Sequence, residues 1–490
     1  MKKIVRVTLT AILILAISTT VGCMPAPSNP KSTPTPAILG TFTGTYTKPG
    51  EVYKFFSWQF NSDNPYQGDD IRSRAMSKRV KDLEDGLGID IQFVPNTGQT
   101  DTIRQSAFQG TPMVDGQKEG GLVTIMQTYL YQDVPGACIE PLSDYPEVFD
   151  FSNTNKFEVA AQKELTTFNN KLWYFIPIEL GIHFECSGNA LVFNKRLVSD
   201  AGITPETIYG WVDSGQWTWD KFETVLTATT KKDKGQWGME RGNQSLNIWA
   251  LIQSNEGELV RLVTAPDGSK QDKFVGYEPN TIAAYDEYIK MIDDLKCVEP
   301  TFYSSVDLTP LNHFMTGKTA FMFTGYSTNS LDKIAKMADD YGIIPTPKGP
   351  VNVADKNQYT SYFPHMNPYN IFRGVQNPRG AIEILAKVFQ PIYDANSDDA
   401  KQLYQTEKDL FSRDDESKKN LDIIEQNKVF VRQMSYGFAA VGDNNFTNVL
   451  YGDAEEGKLI SKEITPKAYF DSITDALDAA IIANSPYTWQ

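Results

Sequence analysis

The chain has 490 residues, of which 61 are acidic and 46 are Lys or Arg, so its formal net charge is −15. This charge disfavours nucleic acid as a partner, because binding to phosphates needs a basic surface. No apolar run after residue 22 is long enough to cross a bilayer, and the roughly 440 residues after position 50 exceed what one core normally holds, which predicts two lobes.

The N-terminal segment has a basic start followed by an apolar run from 9 to 17, which is typical of a secretion signal over residues 1–22. The signal ends in the letters TVGC, which resemble the lipobox of bacterial lipoproteins. The resemblance implies that Cys23 is acylated, with an ordinary signal and a chance cysteine as the alternative. A lipid on Cys23 predicts an extracytoplasmic protein that is anchored to the cell membrane without spanning it.

A linker follows the signal. Residues 23–50 are rich in Pro, Ser and Thr, a composition that buries too little apolar surface to fold. We therefore expect a flexible, lipid-anchored stalk that keeps a folded body near the membrane.

Three cysteines lie in the body at wide spacing, Cys138, Cys186 and Cys297. Their number and spacing predict no disulfide scaffold. One disulfide and buried free thiols both remain open at this point.

The first folded elements alternate between strand and helix. Tyr53–Phe60 is predicted to be a strand, 76–85 a helix that Gly86 and Gly88 stop, and 89–94 a second strand. This order predicts a right-handed parallel crossover.

Later segments continue the alternation and then become mainly helical. Alternation covers 121–129, 157–165 and 173–178, and helical periods cover 218–229, 279–295, 378–393 and 466–482. Thr465 as N-cap and Pro466 at the first helical position give the last helix a clear start.

Six phrases between residues 168 and 349 carry a family resemblance. They are NKLWYFIP from Asn170, LVFNKRLVSDAGI from Leu191, WTWDKF from Trp217, GQWGM from Gly235, FMTGKTAFMFTGYS from Phe314 and YGIIPTPKG from Tyr341. In this order they resemble the extracellular solute-binding proteins, family 1, of carbohydrate ABC importers, which are similar to maltose-binding protein. Asn170 stands where the family has Gly, and Asn194, Trp219, Asp220 and Gly317 are interpreted as residues that maintain the fold.

The resemblance implies an α/β, two-lobe fold of the periplasmic-binding-protein type II, with a ligand cleft between lobes that hinge strands join. The implied division of the chain runs in chain order: 51–178 lobe 1, 179–355 lobe 2, 356–428 lobe 1 again and 429–490 lobe 2 again. We expect solute to bind beyond the carboxyl ends of the strands.

The expected ligand-binding residues are aromatic or polar side chains in loops near those strand ends. They are Trp58, Asn61, Asp63, Glu179, Trp249, Tyr326 and Tyr436. Flat aromatic rings cover the apolar faces of a sugar, and polar groups bind its hydroxyls. Each residue also has a structural alternative: the aromatic residues are equally suited to core packing, and Asn61 and Asp63 to a turn. Arg432, which could orient a carboxylate or pair on the surface, is left out of this set.

The resulting hypothesis is a monomeric substrate-binding lipoprotein of an ABC importer. It captures a sugar or oligosaccharide and delivers it to a membrane permease by lobe closure, without enzymatic activity, metal or cofactor. The three histidines lie apart and form no HExxH motif. Two alternatives remain, a surface glycoside hydrolase with paired carboxylates and a sensor or adhesion lipoprotein without a transporter.

Overall fold

The computed structural model of the chain describes residues 44–57, 64–67, 71–95, 122–124, 138–178, 188–241, 244–301, 308–325, 331, 333–363, 368–394, 397–436, 440–441, 444–451 and 458–485. The strands in these ranges are β1 (Val52–Ser57), β2 (Asp90–Pro95), β3 (Leu122–Thr124), β4 (Thr167–Phe168), β5 (Lys171–Leu172), β6 (Asn189–Asn194), β7 (Trp237–Met239), β8 (Val260–Thr264), β9 (Lys270–Phe274), β10 (Thr319–Gly325), β11 (Tyr341–Ile344), β12 (Ser361–Phe363), β13 (Tyr369–Asn370), β14 (Lys428–Phe430), β15 (Ala440–Val441) and β16 (Asn444–Asn445).

The helices in the same ranges are α1 (Ile71–Leu87), α2 (Val159–Ala161), α3 (Lys195–Ser199), α4 (Pro205–Asp213), α5 (Trp219–Thr229), α6 (Gln244–Ser254), α7 (Pro279–Ile289), α8 (Thr309–Met315), α9 (Pro350–Asp355), α10 (Pro378–Phe389), α11 (Asp398–Phe411), α12 (Asp415–Gln426), α13 (Phe446–Tyr451) and α14 (Pro466–Asn484). Two π-helical turns, Gln162–Thr166 and Lys290–Asp294, continue α2 and α7. Over the described ranges, every helix is too short or too polar to cross a bilayer.

Sheet I has the strand order β13-β3-β1-β2. β1 runs parallel to β2, with Ser57 opposite Pro95, and parallel to β3, with Phe56 opposite Val123. Helix α1 connects β1 to β2, so the predicted parallel crossover is confirmed. Helix α10 packs against α1, β3 and β13. We call sheet I and the elements packed on it the first lobe.

The stretch from Phe151 to Ile178 also packs on the first lobe. Phe175 forms a backbone bridge with Tyr369 of β13, and the two rings stack with centroids 5.6 Å apart. Phe151 also stacks on Phe175, with centroids 5.1 Å apart, and Tyr369 stacks on Phe389 of α10 at 4.0 Å. This row of rings ties residues 151–178 to the core under sheet I.

Sheet II has the strand order β11-β6-β10-β7. β6 is antiparallel to β10 and β11, and β10 is parallel to β7. All six residues of β6 are buried, as expected for a central strand that is covered on both faces. Helices α6 and α8 pack on β10, and α12 packs on β11. We call sheet II and the elements packed on it the second lobe.

The hairpin of β8 and β9 is attached to the second lobe through a chain of helices. Helix α14 packs on β9 and on α7, α7 packs on α6, and α6 packs on β10. Phe470 of α14 lies 5.8 Å from Phe274 of β9 and 4.8 Å from Tyr285 of α7, measured between ring centroids. The hairpin therefore moves with the second lobe.

Several local predictions are confirmed. Gly88, at φ +67°, follows the last residue of α1, where the left-handed backbone favours glycine. The Thr465 side chain accepts a hydrogen bond from the Ala468 amide at 3.2 Å, with Pro466 at the first helical position of α14. Asn170, which replaces a family glycine, has φ +59° in the turn between β4 and β5, a conformation that Asn tolerates better than most residues.

Three of the residues interpreted as maintaining the fold have contacts that explain this role. Asn194 caps α3 through Leu197 and donates to Asp339 at 2.8 Å. Trp219 is buried and donates to Ser254 at 3.1 Å. Gly317 has φ +71°, and a Cβ there would lie 2.6 Å from the Arg196 guanidinium.

Other predicted boundaries differ from the structure. Helix α1 begins at Ile71 and not at 76, and α10 ends at Phe389 and not at 393. Residues 173–178 form isolated bridges in place of a regular strand. Pro177 lies in this stretch and has no amide hydrogen to donate to a ladder, which opposes regular pairing.

The folded body begins earlier than the sequence predicts. Glu383 of α10 is buried, and its carboxylate accepts hydrogen bonds from the backbone amides of Thr45, Tyr46 and Thr47 at 3.0, 2.9 and 3.2 Å. Lys387 donates to the same carboxylate at 2.8 Å. Residues 45–47 of the predicted linker 23–50 are thus bonded to the folded body.

Candidate functional site

Three parallel strands of sheet I end at one edge. Ser57 lies opposite Pro95, and β3 ends at Thr124 on the other side of β1. The predicted ligand residues Trp58, Asn61 and Asp63 follow this edge in sequence, and they lie outside the described residues. Carboxyl ends of parallel strands are the usual place for a ligand, so this edge forms one wall of the candidate site.

A corresponding edge of sheet II brings together the end of β10 and the start of β6. Gly325 lies opposite Asn189, and the predicted residue Tyr326 follows Gly325. Glu179 precedes the same edge. Tyr326, Glu179 and the anchor residue Cys23 lie outside the described residues. This edge forms the second wall.

Asn189 connects the second wall to the segment that leads back to the first lobe. It is fully buried, donates to the Thr346 hydroxyl at 3.1 Å and accepts from the Tyr362 amide at 2.9 Å. The Ser361 hydroxyl also donates to the Asn189 carbonyl oxygen. Because a buried amide is costly unless it is bonded, these contacts fix β12 against the start of β6.

Trp249, a predicted ligand residue, lies in α6 and is 6% exposed. Its ring meets Tyr362 of β12 edge to face, with centroids 6.0 Å apart. Burial raises the pKa of Tyr362 well above its usual value. Packing against β12 thus accounts for the burial of Trp249. A contact between Trp249 and solute stays a prediction.

Tyr436, the second predicted residue in the described chain, is fully buried. Its hydroxyl donates to Asp272 of β9 at 2.6 Å, and its ring lies 6.0 Å from Phe446. Arg432 donates to the other carboxylate oxygen of Asp272 at 2.8 Å and to Glu164 at 2.8 Å. A structural role thus accounts for Tyr436, and Arg432 is a buried ion-pairing residue.

A second cation lies four residues before Arg432. Lys428 of β14 is 13% exposed and forms ion pairs with Glu158 at 3.2 Å and Glu425 at 2.7 Å. β14 runs parallel to β12, with Ser361 opposite Lys428. We call residues 428–436 the junction segment, because elements of both lobes meet on it.

Acidic residues lie beyond the end of β7 in the second lobe. Glu240 and Glu299 are buried, and the Glu299 amide donates to Met239 at 2.9 Å. His313 of α8 contacts the Glu299 carboxylate at 3.0 Å. In the described part of the chain, no cluster of His, Cys, Asp and Glu side chains has an arrangement suited to a metal ion.

Trp211 and Trp217 pack within the second lobe. Trp217 is fully buried and stacks with Trp211 at 6.3 Å, and its indole donates to the Pro345 carbonyl at 3.0 Å. Cys138 and Cys297 are buried and are not bonded to each other, while Cys186 lies outside the described residues.

The sequence missed the polar residues of the connection between the lobes, namely Asn189, Asp272 and Lys428. Asp272 carried no local signal, because it stands among polar residues in β9, which reads KQDKF. Its partner, Arg432, lies 160 residues away in the chain.

Comparison with known families gives one match over most of the chain. The sequence profile of bacterial extracellular solute-binding proteins matches residues 78–396. No curated protein is similar enough in sequence to count as a relative.

Solved structures share the fold at low sequence identity. The ABC substrate-binding protein Lmo0181 from Listeria monocytogenes, in complex with cycloalternan, matches with a TM-score of 0.57 and 14% identity, over 88% of this chain and 99% of its own. A cyclo/maltodextrin-binding protein complexed with maltotetraose gives 0.59 and 14%, over 89% and 99%. UgpB from Mycobacterium tuberculosis, with glycerophosphocholine, gives 0.58 and 16%, over 89% and 99%. The predicted α/β, two-lobe type II fold is confirmed.

Proposed function

This chain belongs to the family of bacterial extracellular solute-binding proteins, and from that premise we propose that it captures a sugar or oligosaccharide outside the cell membrane and delivers it to an ABC permease. The observation that carries the proposal is a pair of strand edges, one in each lobe, with β12 bonded to the second edge and followed in the chain by β13 of sheet I. Such an arrangement encloses a solute when the lobes close, and no chemical step is needed.

The class of solute rests on the structural neighbours. Two of them were solved with maltotetraose and cycloalternan, which are oligosaccharides, and a third with glycerophosphocholine. We propose ligand contacts from Trp58, Asn61 and Asp63 on the first wall and from Glu179 and Tyr326 on the second. Trp249 is proposed to support the base of the cleft.

The membrane part of the proposal rests on the sequence. Acylation of Cys23 would hold the body at the outer face of the membrane, next to a permease. Replacement by Cys23→Ser is expected to release the protein into the medium with its solute binding unchanged. Loss of binding together with loss of the anchor would contradict this division of roles.

A ligand screen tests the proposal directly. The full chain is heated with maltotetraose, cycloalternan or glycerophosphocholine, and its melting temperature is recorded. A ligand at 100 times its dissociation constant stabilises the folded state by about 2.7 kcal/mol. The sugars should raise the melting temperature and glycerophosphocholine should not. Release of free sugar from either oligosaccharide would favour a surface glycosidase and contradict the proposal.

Two tryptophan variants test whether the sugar binds at the candidate site. Trp58→Ala should weaken binding of the responding sugar at least tenfold, which is about 1.4 kcal/mol, because a flat ring loses its contact with the sugar face. Trp211→Ala removes an aromatic residue of the second lobe and should leave the affinity unchanged.

A further inference from the structure

Two cations on the junction segment share one pattern of contacts. Lys428 and Arg432 are four residues apart, and each forms ion pairs with two carboxylates. One carboxylate of each pair comes from the stretch Glu158–Glu164, and the others are Glu425 and Asp272.

The carboxylates of each cation belong to different lobes. Glu158 and Glu164 flank and continue α2, within the stretch that packs on sheet I. Glu425 lies on α12, which is bonded to β11 through Asn420 and the Ile343 carbonyl at 2.9 Å. Asp272 lies on β9 of the hairpin that is attached to the second lobe. Each cation therefore bridges the two lobes.

We propose that Lys428 and Arg432 form a two-cation hinge, which sets the orientation in which the two lobes rest. Charged groups suit this role because ion pairs in a poorly hydrated site need their partners in one geometry, and their best-attested use is to fix one arrangement among several. Apolar contacts tolerate sliding more readily than such pairs do.

The two sides of the hinge differ in strength. Asp272 is fully buried and accepts from both Arg432 and Tyr436. Glu164, the first-lobe partner of Arg432, has a side chain that is 50% exposed. Lys428 lies closer to Glu425, at 2.7 Å, than to Glu158, at 3.2 Å, but here the first-lobe carboxylate is the more buried of the two.

This asymmetry predicts where the hinge opens. Water and salt ions reach Glu164 and screen its attraction to Arg432, whereas they do not reach Asp272. When the lobes rotate, the contact between Arg432 and the Glu164 carboxylate separates first, and Arg432 remains with Asp272 in the second lobe.

A distance measurement between the lobes tests the hinge without any solute, so its outcome is independent of the proposed function. Spin-labelled amino acids replace Lys81 on α1, whose side chain is 71% exposed, and the exposed Lys234 before β7. Double electron–electron resonance then gives the distribution of distances in the full chain. The double variant Glu158→Gln/Glu164→Gln should show a broader distribution or a second distance.

Two further measurements complete the test. Glu206→Gln removes the same charge from the exposed start of α4 and should leave the distribution unchanged. High salt should broaden the distance distribution of the wild type and have less effect on that of Glu164→Gln. Because residue 164 is half-exposed, this single variant tests the hinge if the double variant does not fold. A wild-type distribution in Glu164→Gln at all salt concentrations, or equal broadening in Glu206→Gln, would overturn the two-cation hinge.

Discussion

The junction segment and the second lobe each hold a cation between two carboxylates, and they differ in where the carboxylates come from. At the junction segment, Arg432 lies between Glu164 of the first lobe and Asp272 of the second. On the second lobe, Lys290 contacts Glu223 of α5 and Glu287 of α7, which belong to the same lobe.

The difference changes what the charges respond to. Glu223 and Glu287 share a hydrogen bond, so burial and the Glu223 carboxylate raise the pKa of Glu287 to about 8. Asp272 is instead bonded by two donors, Arg432 and Tyr436. Glu223 and Glu287 lie close together, so their protonation depends on pH. At the junction segment the exposed contact between Arg432 and Glu164 depends on salt concentration instead.

The largest expected effect is the loss of a buried charge at the junction segment. Asp272→Ala leaves Arg432 buried without its best partner, and breaking a buried pair in this way costs about 3–5 kcal/mol. Urea unfolding followed by circular dichroism measures the change. Asp471→Ala, which breaks an exposed pair on α14, is the control, and equal losses in the two variants would remove the distinction between the regions.

A smaller effect, and one that depends on pH, is expected in the second lobe. Between the unfolded pKa of about 4.5 and the folded pKa of about 8, folded Glu287 holds a proton that the unfolded chain has released. Raising the pH therefore favours the unfolded chain. The melting temperature of the wild type should fall from pH 5 to pH 8 relative to that of Glu287→Gln, which carries no titratable proton.

The decisive observation is how the difference in melting temperature between the wild type and Glu287→Gln changes with pH. If Glu287→Gln and the wild type keep a constant difference in melting temperature over this range, Glu287 titrates normally and the two regions do not differ in their response to pH. Glu206→Gln serves as the control, since Glu206 is exposed at the start of α4.

The smallest effect is expected where both charges are exposed. Lys467 and Asp471 of α14 lie 2.7 Å apart with side chains 66% and 52% exposed. Lys467→Ala should change the free energy of unfolding by at most about 0.5 kcal/mol, because water screens such a pair. A loss as large as that of Asp272→Ala would show that burial does not set the scale.

Local signals in the sequence predicted the elements better than the connections between them. Thr465 and Pro466 mark the start of α14, and Gly88 marks the end of α1, because caps and left-handed turns depend on a few neighbouring residues. The resemblance of the phrases between 168 and 349 gave the two-lobe fold.

Contacts between distant residues could not be predicted in the same way. Arg432 gave no sign of its partner Asp272, and Glu383 gave no sign of the amides at 45–47, since these pairs form only when the chain has folded. Six of the eight tryptophans lie between residues 173 and 249, a grouping that suits a cleft or a core, and Trp217 is buried in the core. The predicted lobe boundaries at 178, 355 and 428 stay predictions, and α12, which precedes the last boundary, packs on sheet II.

The contacts of Glu383 have a mechanical consequence. Twenty residues separate Cys23 from Gly44, and a fully extended chain of that length spans at most about 70 Å. If Cys23 is acylated as proposed, a pull from the membrane is transmitted through the amides of 45–47 to Glu383, and so to α10 and sheet I. That load would then fall on the first lobe and leave the second lobe without direct tension from the anchor.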